Sequence, residues 1–245
     1  QFIAPLDTVF PPEAQAKLSG WQTVREGYKT DGAILALPYG AGSYFYIFYR
    51  PSLFAQAGVE FVEPKTWEEL LDLGEKLKAA GVNPFWVCNQ EGYLGAWVIA
   101  ALAGGQIGPD AFTEMVQGNT PIDHPGMIEA YKAYAELFAR GLTNPDAGQV
   151  GNGEAVTGFA QGNGAMLIAG GWTNNEMVTT LGDDVDMFPI PTMASAVAPG
   201  VLAGGPNVAV FVTNYSPNPE AAFTFLKFLA EASSIDLYVK LTQSE

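Results

Sequence analysis

Apolar positions along the chain fall into two kinds of set: short continuous runs, and positions spaced by three and four. This is the pattern of strands interleaved with helices. Residues 13–17 read as a short helix, and GAILALP (32–38) as a buried strand. YGAGS (39–43) is expected to interrupt that strand before YFYIFY (44–49) resumes an aromatic one. In PKTWEEL (64–70), Thr66 can cap a helix and Glu69 completes a capping box, which predicts a helix over 67–79. Leu70, Leu73 and Leu77 share one face of it, and Gly81 stops it. NPFWVC (83–88) then reads as a strand, residues 89–93 as a polar loop and 94–103 as a small-residue helix.

Further along, Met127, Ile128, Tyr131, Tyr134, Leu137 and Phe138 recur at helical spacing, ended by Gly141. A short helix over 154–161 leads into the strand AMLIA (165–169), which finishes in Gly170-Gly171-Trp172. Residues 173–180 read as helix and 185–190 as strand. Gly204-Gly205-Pro206 precedes the apolar run 208–212, and Pro217 and Pro219 introduce a helix over 220–231 with Ala222, Phe225, Leu226 and Leu229 inward. The alternation predicts an α/β architecture. Two glycine-marked crossings, at 39–43 and 204–206, bracket residues 43–205 as one lobe and leave 1–42 with 206–245 as the other. Two segments of about forty residues are few for an α/β core, so this other lobe is expected to be incomplete.

Composition removes several classes of function. A formal charge of −15 repels nucleic-acid backbones and anionic membrane surfaces. Charged residues make up 15% against an average of roughly 25%, and hydrophobic ones 48%, which argues against disorder. The longest apolar run, residues 96–103, is about eight long where a membrane helix needs roughly twenty. No signal-peptide pattern opens the chain, so any such segment is expected upstream or not at all. One cysteine, Cys88, and one histidine, His124, build neither an internal disulfide nor a zinc site, and leave the redox compartment open. No metal or cofactor is expected.

Nucleophile elbows, phosphate-binding loops, H-E-x-x-H and dinucleotide fingerprints are all missing. His124, before Pro125, reads as a solvated loop residue, and Cys88 as inert core. Asn214-Tyr215-Ser216 matches a glycosylation sequon of little weight, with Pro217 following directly. Glu68-Glu69 suits a first helical turn and Asp183-Asp184 a solvated turn, rather than an acid–base pair across a glycosidic bond. The aromatic residues carry more. Sugars offer apolar C–H faces to rings and hydroxyls to carboxylates. Trp172, at a strand end after two glycines, is a candidate ligand platform weighed against core, with the glycines letting backbone approach a ligand. Glu91 and Tyr93 form a candidate acceptor-and-ring pair weighed against an ordinary turn. Trp67 and Trp86 read as packing, whereas Tyr39 and Tyr44 beside the first crossing stay open between packing and site.

The segment YFYIFYRPSLFAQAGVEFVEPKTWEELLDLGEKLKAAG (44–81) resembles the extracellular solute-binding proteins, family 1, of bacterial ABC importers, which mostly bind carbohydrates. GFAQGNGAMLIAGGW (158–172), the Pro-x-Pro at 189–191, AGGPNVAVFVTNYSPNPEAAFTFLKFL (203–229) and PLD (5–7) extend the match over essentially the whole chain. The resemblance implies a type II-like, two-lobed periplasmic-binding-protein fold with interlobe crossing segments. The lobes would close on a sugar in the cleft and deliver it to ABC permease subunits. It implies that Glu91 and Tyr93 take the positions of a sugar-contacting Glu and Tyr of the maltodextrin-binding relatives, and that Trp172 matches a stacking Trp. Residues 39–44, with Tyr39 and Tyr44, match a crossing that lines the cleft, at a spacing that differs by about one residue. Gly205 and Asn207 join the candidate site from the second crossing. The family's first strands and helices, and its helices after LKFLAEASSIDLYVK, have no counterpart in this sequence. The expectation is therefore a monomeric, non-enzymatic transport component, periplasmic or anchored outside the membrane as a lipoprotein. The competing expectations are a carbohydrate-active hydrolase, or a binder of a non-sugar solute whose cation would meet Glu91.

Overall fold

The computed structural model describes residues 2–17, 20–21, 32–43, 45–202 and 204–242. In chain order its first elements are α1 (Pro12–Gln15), β1 (Leu37–Ser43), β2 (Phe45–Tyr49), α2 (Pro51–Ala57), α3 (Trp67–Ala79) and β3 (Phe85–Trp86). There follow α4 (Tyr93–Ile107), α5 (Pro109–Val116), α6 (Pro125–Ala139), α7 (Ala155–Ala160), β4 (Met166–Gly170) and α8 (Asn174–Leu181). The last are β5 (Asp186–Pro189), β6 (Gly204–Val210), α9 (Pro219–Leu229) and α10 (Ala232–Thr242). The chain divides into two compact units, Gln1–Tyr44 with Gly204–Glu245, and Phe45–Ala203.

In the Phe45–Ala203 unit the strands lie in the order β3-β4-β2-β5. β2 is antiparallel to both neighbours, with Phe45 opposite Gly170 and Tyr49 opposite Asp186, while β3 runs parallel to β4. Phe45, Ile47, Phe48 and all of β4 are buried, as strands covered by helices should be. α3 spans the residues the capping pattern predicts: the Thr66 hydroxyl accepts the N–H of Glu69 at 3.2 Å. The returning Glu69 carboxylate accepts from Lys65, one residue earlier than a reciprocal box requires, at 2.7 Å. The helix buries Trp67, Leu70, Leu73 and Leu77, and the Trp67 indole N–H donates to the Ala133 carbonyl of α6 at 3.1 Å.

In the other unit β1 and β6 form an antiparallel pair from Leu37 opposite Val210 to Ser43 opposite Gly204. Leu6, Val9, Phe10, Trp21, Ile34, Leu37, Val212 and Leu226 make its core, with Ala222, Phe223 and Leu229 of α9 packed against it. Local pattern misled here in two ways. The strand expected over 32–38 starts only at Leu37 and continues through YGAGS, because β6 supplies backbone partners along that stretch. Phe225, expected inward, is 57% exposed, and Phe223 packs in its place.

Other differences have equally specific causes. The strand expected over 83–88 shrinks to Phe85–Trp86, since from Val87 onward the Asn144 amide substitutes for a strand partner. Its oxygen accepts the Val87 N–H (2.7 Å), and its nitrogen donates to the Val87 carbonyl (3.2 Å). α6 buries Ala130, Ala133 and Leu137 and leaves Ile128, Tyr131 and Phe138 exposed, so its small residues face inward. α2 and α5 were not read from the sequence; each is short and opens on a proline at its first turn, an available signal. His124 is exposed as expected and caps α6, its Nδ1 accepting from Gly126 at 3.0 Å.

The acidic turn expected to be solvated at Asp183-Asp184 is instead an anchor. The Arg50 guanidinium donates to Asp184 through Nε (2.9 Å) and Nη2 (2.6 Å), and to the Ala160 carbonyl (2.8 Å). Ser52, in the first turn of α2, adds its N–H (2.8 Å) and hydroxyl (2.6 Å) to the same carboxylate. Burial pushes the Asp184 carboxyl up, but the Ser52 and Arg50 hydrogen bonds and the Arg50 charge outweigh it and hold it below its ordinary 3.8. A carboxyl lowered on folding contributes stability that is complete above its unfolded value and disappears as pH falls through the folded one. Asp184→Asn is therefore expected to cost about 1–2 kcal/mol near neutral pH. In urea titrations the gap from the parent should close on acidification below the ordinary carboxylate range; a gap unchanged by acid would remove the ion pair as its cause.

Candidate functional site

Four aromatic rings gather at the end of the sheet where β4 finishes and β2 begins. Trp172 stands in a 3₁₀ turn, Gly171–Thr173, directly after β4, and the residue is 44% exposed. Trp97, one helical turn beyond Tyr93 on α4, is 38% exposed and meets Trp172 nearly at right angles, 81° with centroids 5.7 Å apart. The buried Phe45 lies against both, 4.7 Å from Trp97 and 5.9 Å from Trp172. Tyr93, half-buried, flanks Trp97 edge-on at 5.0 Å. The result is two half-open indole faces set perpendicular to one another on a buried phenyl floor. Such faces offer apolar area that flat C–H surfaces can cover.

The polar groups beside the rings are already partly engaged. Both Glu91 oxygens accept the N–H of Asn152, at 3.2 and 3.1 Å, so the carboxylate caps the 3₁₀ turn Asn152–Glu154 that leads into α7. A carboxylate has about four acceptor positions, which leaves capacity for a ligand hydroxyl. Burial, and after it the Glu91 charge, pushes the Tyr93 phenol up, so it stays a donor at neutral pH. Replacing Glu91 by alanine is expected to lower stability by about 1 kcal/mol through the lost cap, read as a shifted urea midpoint. A variant as stable as the parent would mean the cap contributes nothing.

Trp172, Tyr93 and Glu91 thus fall in one unit, with the first two in one ring cluster. Trp97 was missed by sequence reasoning, although its spacing of four from Tyr93 was a usable signal. Tyr39 lies in the other unit, where its half-buried ring meets Tyr238 edge-on at 5.4 Å and packs against the Leu6–Leu37 core. Gly205 stands in β6 opposite Gly42 with φ of 146°, a conformation open to glycine, which makes it a backbone requirement of the strand pair. Tyr44 and the side chain of Asn207 lie outside the described residues.

The acids weighed as catalytic pairs have structural partners. Glu68 accepts the Ala194 N–H at 2.9 Å, Glu69 holds Lys65, and Asp184 holds Arg50. Burial, followed by the charges of Glu154, Glu91 and Asp146, pushes the buried Cys88 thiol up to about 12, which keeps it protonated and unreactive. Trp67 and Trp86 are core, as read. Among the described residues no group of three or more His, Cys, Asp or Glu could hold a metal, and no helix is long and apolar enough to cross a membrane.

The class of the protein comes from its family. Residues 1–234 match the family model of the bacterial extracellular solute-binding proteins, and the chain belongs to that family. It is 26% identical over 219 residues to the sn-glycerol-3-phosphate-binding periplasmic protein UgpB of Salmonella paratyphi A, covering 84% of this chain and 48% of that one. The chain thus spans about half the length of the curated relatives it matches. A protein solved in work on xylan utilization by the thermophilic bacterium Caldanaerobius polysaccharolyticus superposes with a TM-score of 0.82 at 21% identity, over 94% of this chain and 58% of that one. A chitin oligosaccharide binding protein gives 0.79 at 21% identity, over 99% and 61%. The fold is that of these two-lobed α/β proteins.

Proposed function

We propose that this protein is the carbohydrate-capturing component of an ABC importer, stacking a neutral sugar, an oligosaccharide in particular, on Trp172 and Trp97 and handing it to permease subunits. The observation that carries the reading is the pair of half-exposed, perpendicular indoles on a frame without cationic side chains. β2, residues 87–107 and Met166–Leu181, which carry the cluster, contain no lysine or arginine. A phosphate group would find no cation on these elements, whereas sugar C–H faces find two rings and a carboxylate. The reading therefore favours the ligand class of the chitin oligosaccharide binder over that of the glycerol-3-phosphate binder.

Tyr93 and Glu91 would supply a hydroxyl donor and an acceptor to the stacked sugar, with Tyr39, Tyr44, Gly205 and Asn207 further candidates from the other unit. The two compact units are the two lobes of this reading, and the protein works as a monomer, outside the cytoplasmic membrane, free or lipid-anchored. It does not hydrolyse what it binds. Calorimetry against xylo-, chito- and malto-oligosaccharides, with glycerol 3-phosphate and a polyamine as controls, tests the proposal. Saturable binding of a neutral sugar without released reducing ends is expected. Binding of glycerol 3-phosphate or polyamine alone would overturn it, and sugar turnover abolished by one carboxylate substitution would move the protein to the hydrolases.

A further inference from the structure

We infer that Gly170 is the positioning residue of this aromatic face: the space its absent side chain leaves is occupied by the Trp172 indole. A Cβ built on Gly170 would stand 2.2–2.3 Å from Cη2, Cζ2 and Cζ3 of Trp172, where carbon atoms in contact need roughly 3.5 Å. The ring would have to move by more than an ångström. Nothing else at this position calls for glycine, since its backbone is ordinary extended chain at φ −74° and ψ 147°. The sequence reading that these glycines admit a ligand to the backbone is thus replaced at Gly170 by a different use: its space admits the protein's own tryptophan.

The turn holds the ring in that berth. The buried Thr173 hydroxyl donates to the Gly170 carbonyl at 2.8 Å, closing the 3₁₀ turn that folds Trp172 back over the strand end. Antiparallel pairing sets Gly170 opposite Phe45, whose ring touches both indoles. The perpendicular pose of Trp172 against Trp97 therefore depends on a glycine two residues earlier in the chain. Gly158 offers the contrast. There a Cβ would meet the Trp86 indole at 2.5–2.7 Å, but Trp86 is only 8% exposed and cannot yield, whereas Trp172 has solvent to swing into. A methyl at 158 strains the core; a methyl at 170 displaces the platform.

This inference rests on the carbohydrate reading for its effect on affinity, though not for its geometry. Gly170→Ala, Trp172→Ala, their double variant and Gly158→Ala would be compared in the full chain. Three readouts apply: the exciton couplet of the paired indoles in circular dichroism, thermal unfolding, and calorimetry with the xylo-, chito- and malto-oligosaccharides. Gly170→Ala should abolish the couplet, leave the unfolding temperature near the parent's and weaken sugar binding about tenfold or more. In the Trp172→Ala background it should weaken binding no further. Gly158→Ala should lower the unfolding temperature and keep the couplet. A couplet retained in Gly170→Ala, or equal extra weakening in the double variant, overturns the assignment. If the parent binds none of these sugars, the carbohydrate reading fails, while the couplet still decides the role of Gly170.

Discussion

Replacing Trp172 by alanine is expected to weaken sugar binding by about 2 kcal/mol, roughly 30-fold, while moving the unfolding free energy by about 1 kcal/mol or less. The asymmetry follows from its surroundings. With 44% of the residue exposed, a large part of the indole stays in water in the folded chain, and its ring contacts are with Phe45 and Trp97 at the rim of the sheet rather than in an enclosing core. In a complex the open face would be covered, and an aromatic anchor at the centre of a contact carries a large share of binding energy. Calorimetry and urea unfolding on the same preparation separate the two quantities. Equal losses in both would return Trp172 to the core. Trp97→Ala should behave similarly, and the two substitutions together should cost less than their sum, because each ring positions the other.

Trp67→Ala should do the reverse, costing about 3–5 kcal/mol of stability and leaving the sugar affinity of the folded fraction unchanged. Trp67 is 1% exposed, its indole N–H donates to the Ala133 carbonyl, and its backbone N–H donates to Thr192 at 2.9 Å. Removing the ring leaves a cavity between α3 and α6 that the helices can only partly close. Trp67→Phe, which keeps most of the volume and loses the hydrogen bond, should cost about 1–2 kcal/mol. Stability near the parent's in Trp67→Ala, with affinity lost, would contradict the division of labour between the two tryptophans.

These two residues also mark how far the chain can be read without its structure. Trp67 follows a helix cap, and the residues around it determine its helix locally: Thr66 and Glu69 satisfy nearby N–H groups, and Leu70, Leu73 and Leu77 repeat at the helical period. The family, too, is legible, because its motifs are contiguous stretches of sequence. Trp172 was legible as a candidate platform for a similar reason, being announced by the strand and glycines before it.

The misreadings came wherever a residue's role depends on something distant in sequence. YGAGS reads as a break because glycines weaken an isolated strand, yet β6, more than 150 residues later, provides the partners that keep it extended. NPFWVC reads as a strand of six, and Asn144 ends it early by satisfying Val87 from a side chain. Asp184 reads as solvated until folding brings Arg50 and Ser52 to it, and Phe225 reads as inward until Phe223 takes the core. Trp97 lay within the apolar run of a helix and became a site candidate only when the end of β4 set Trp172 against it. Local bonding, period and contiguous motif are written in the sequence itself, and they determined the α/β class, the family, most elements and Trp172 as a candidate. Which faces meet, which charges pair and which rings form one surface are set by long-range packing, and those the tertiary structure alone decided.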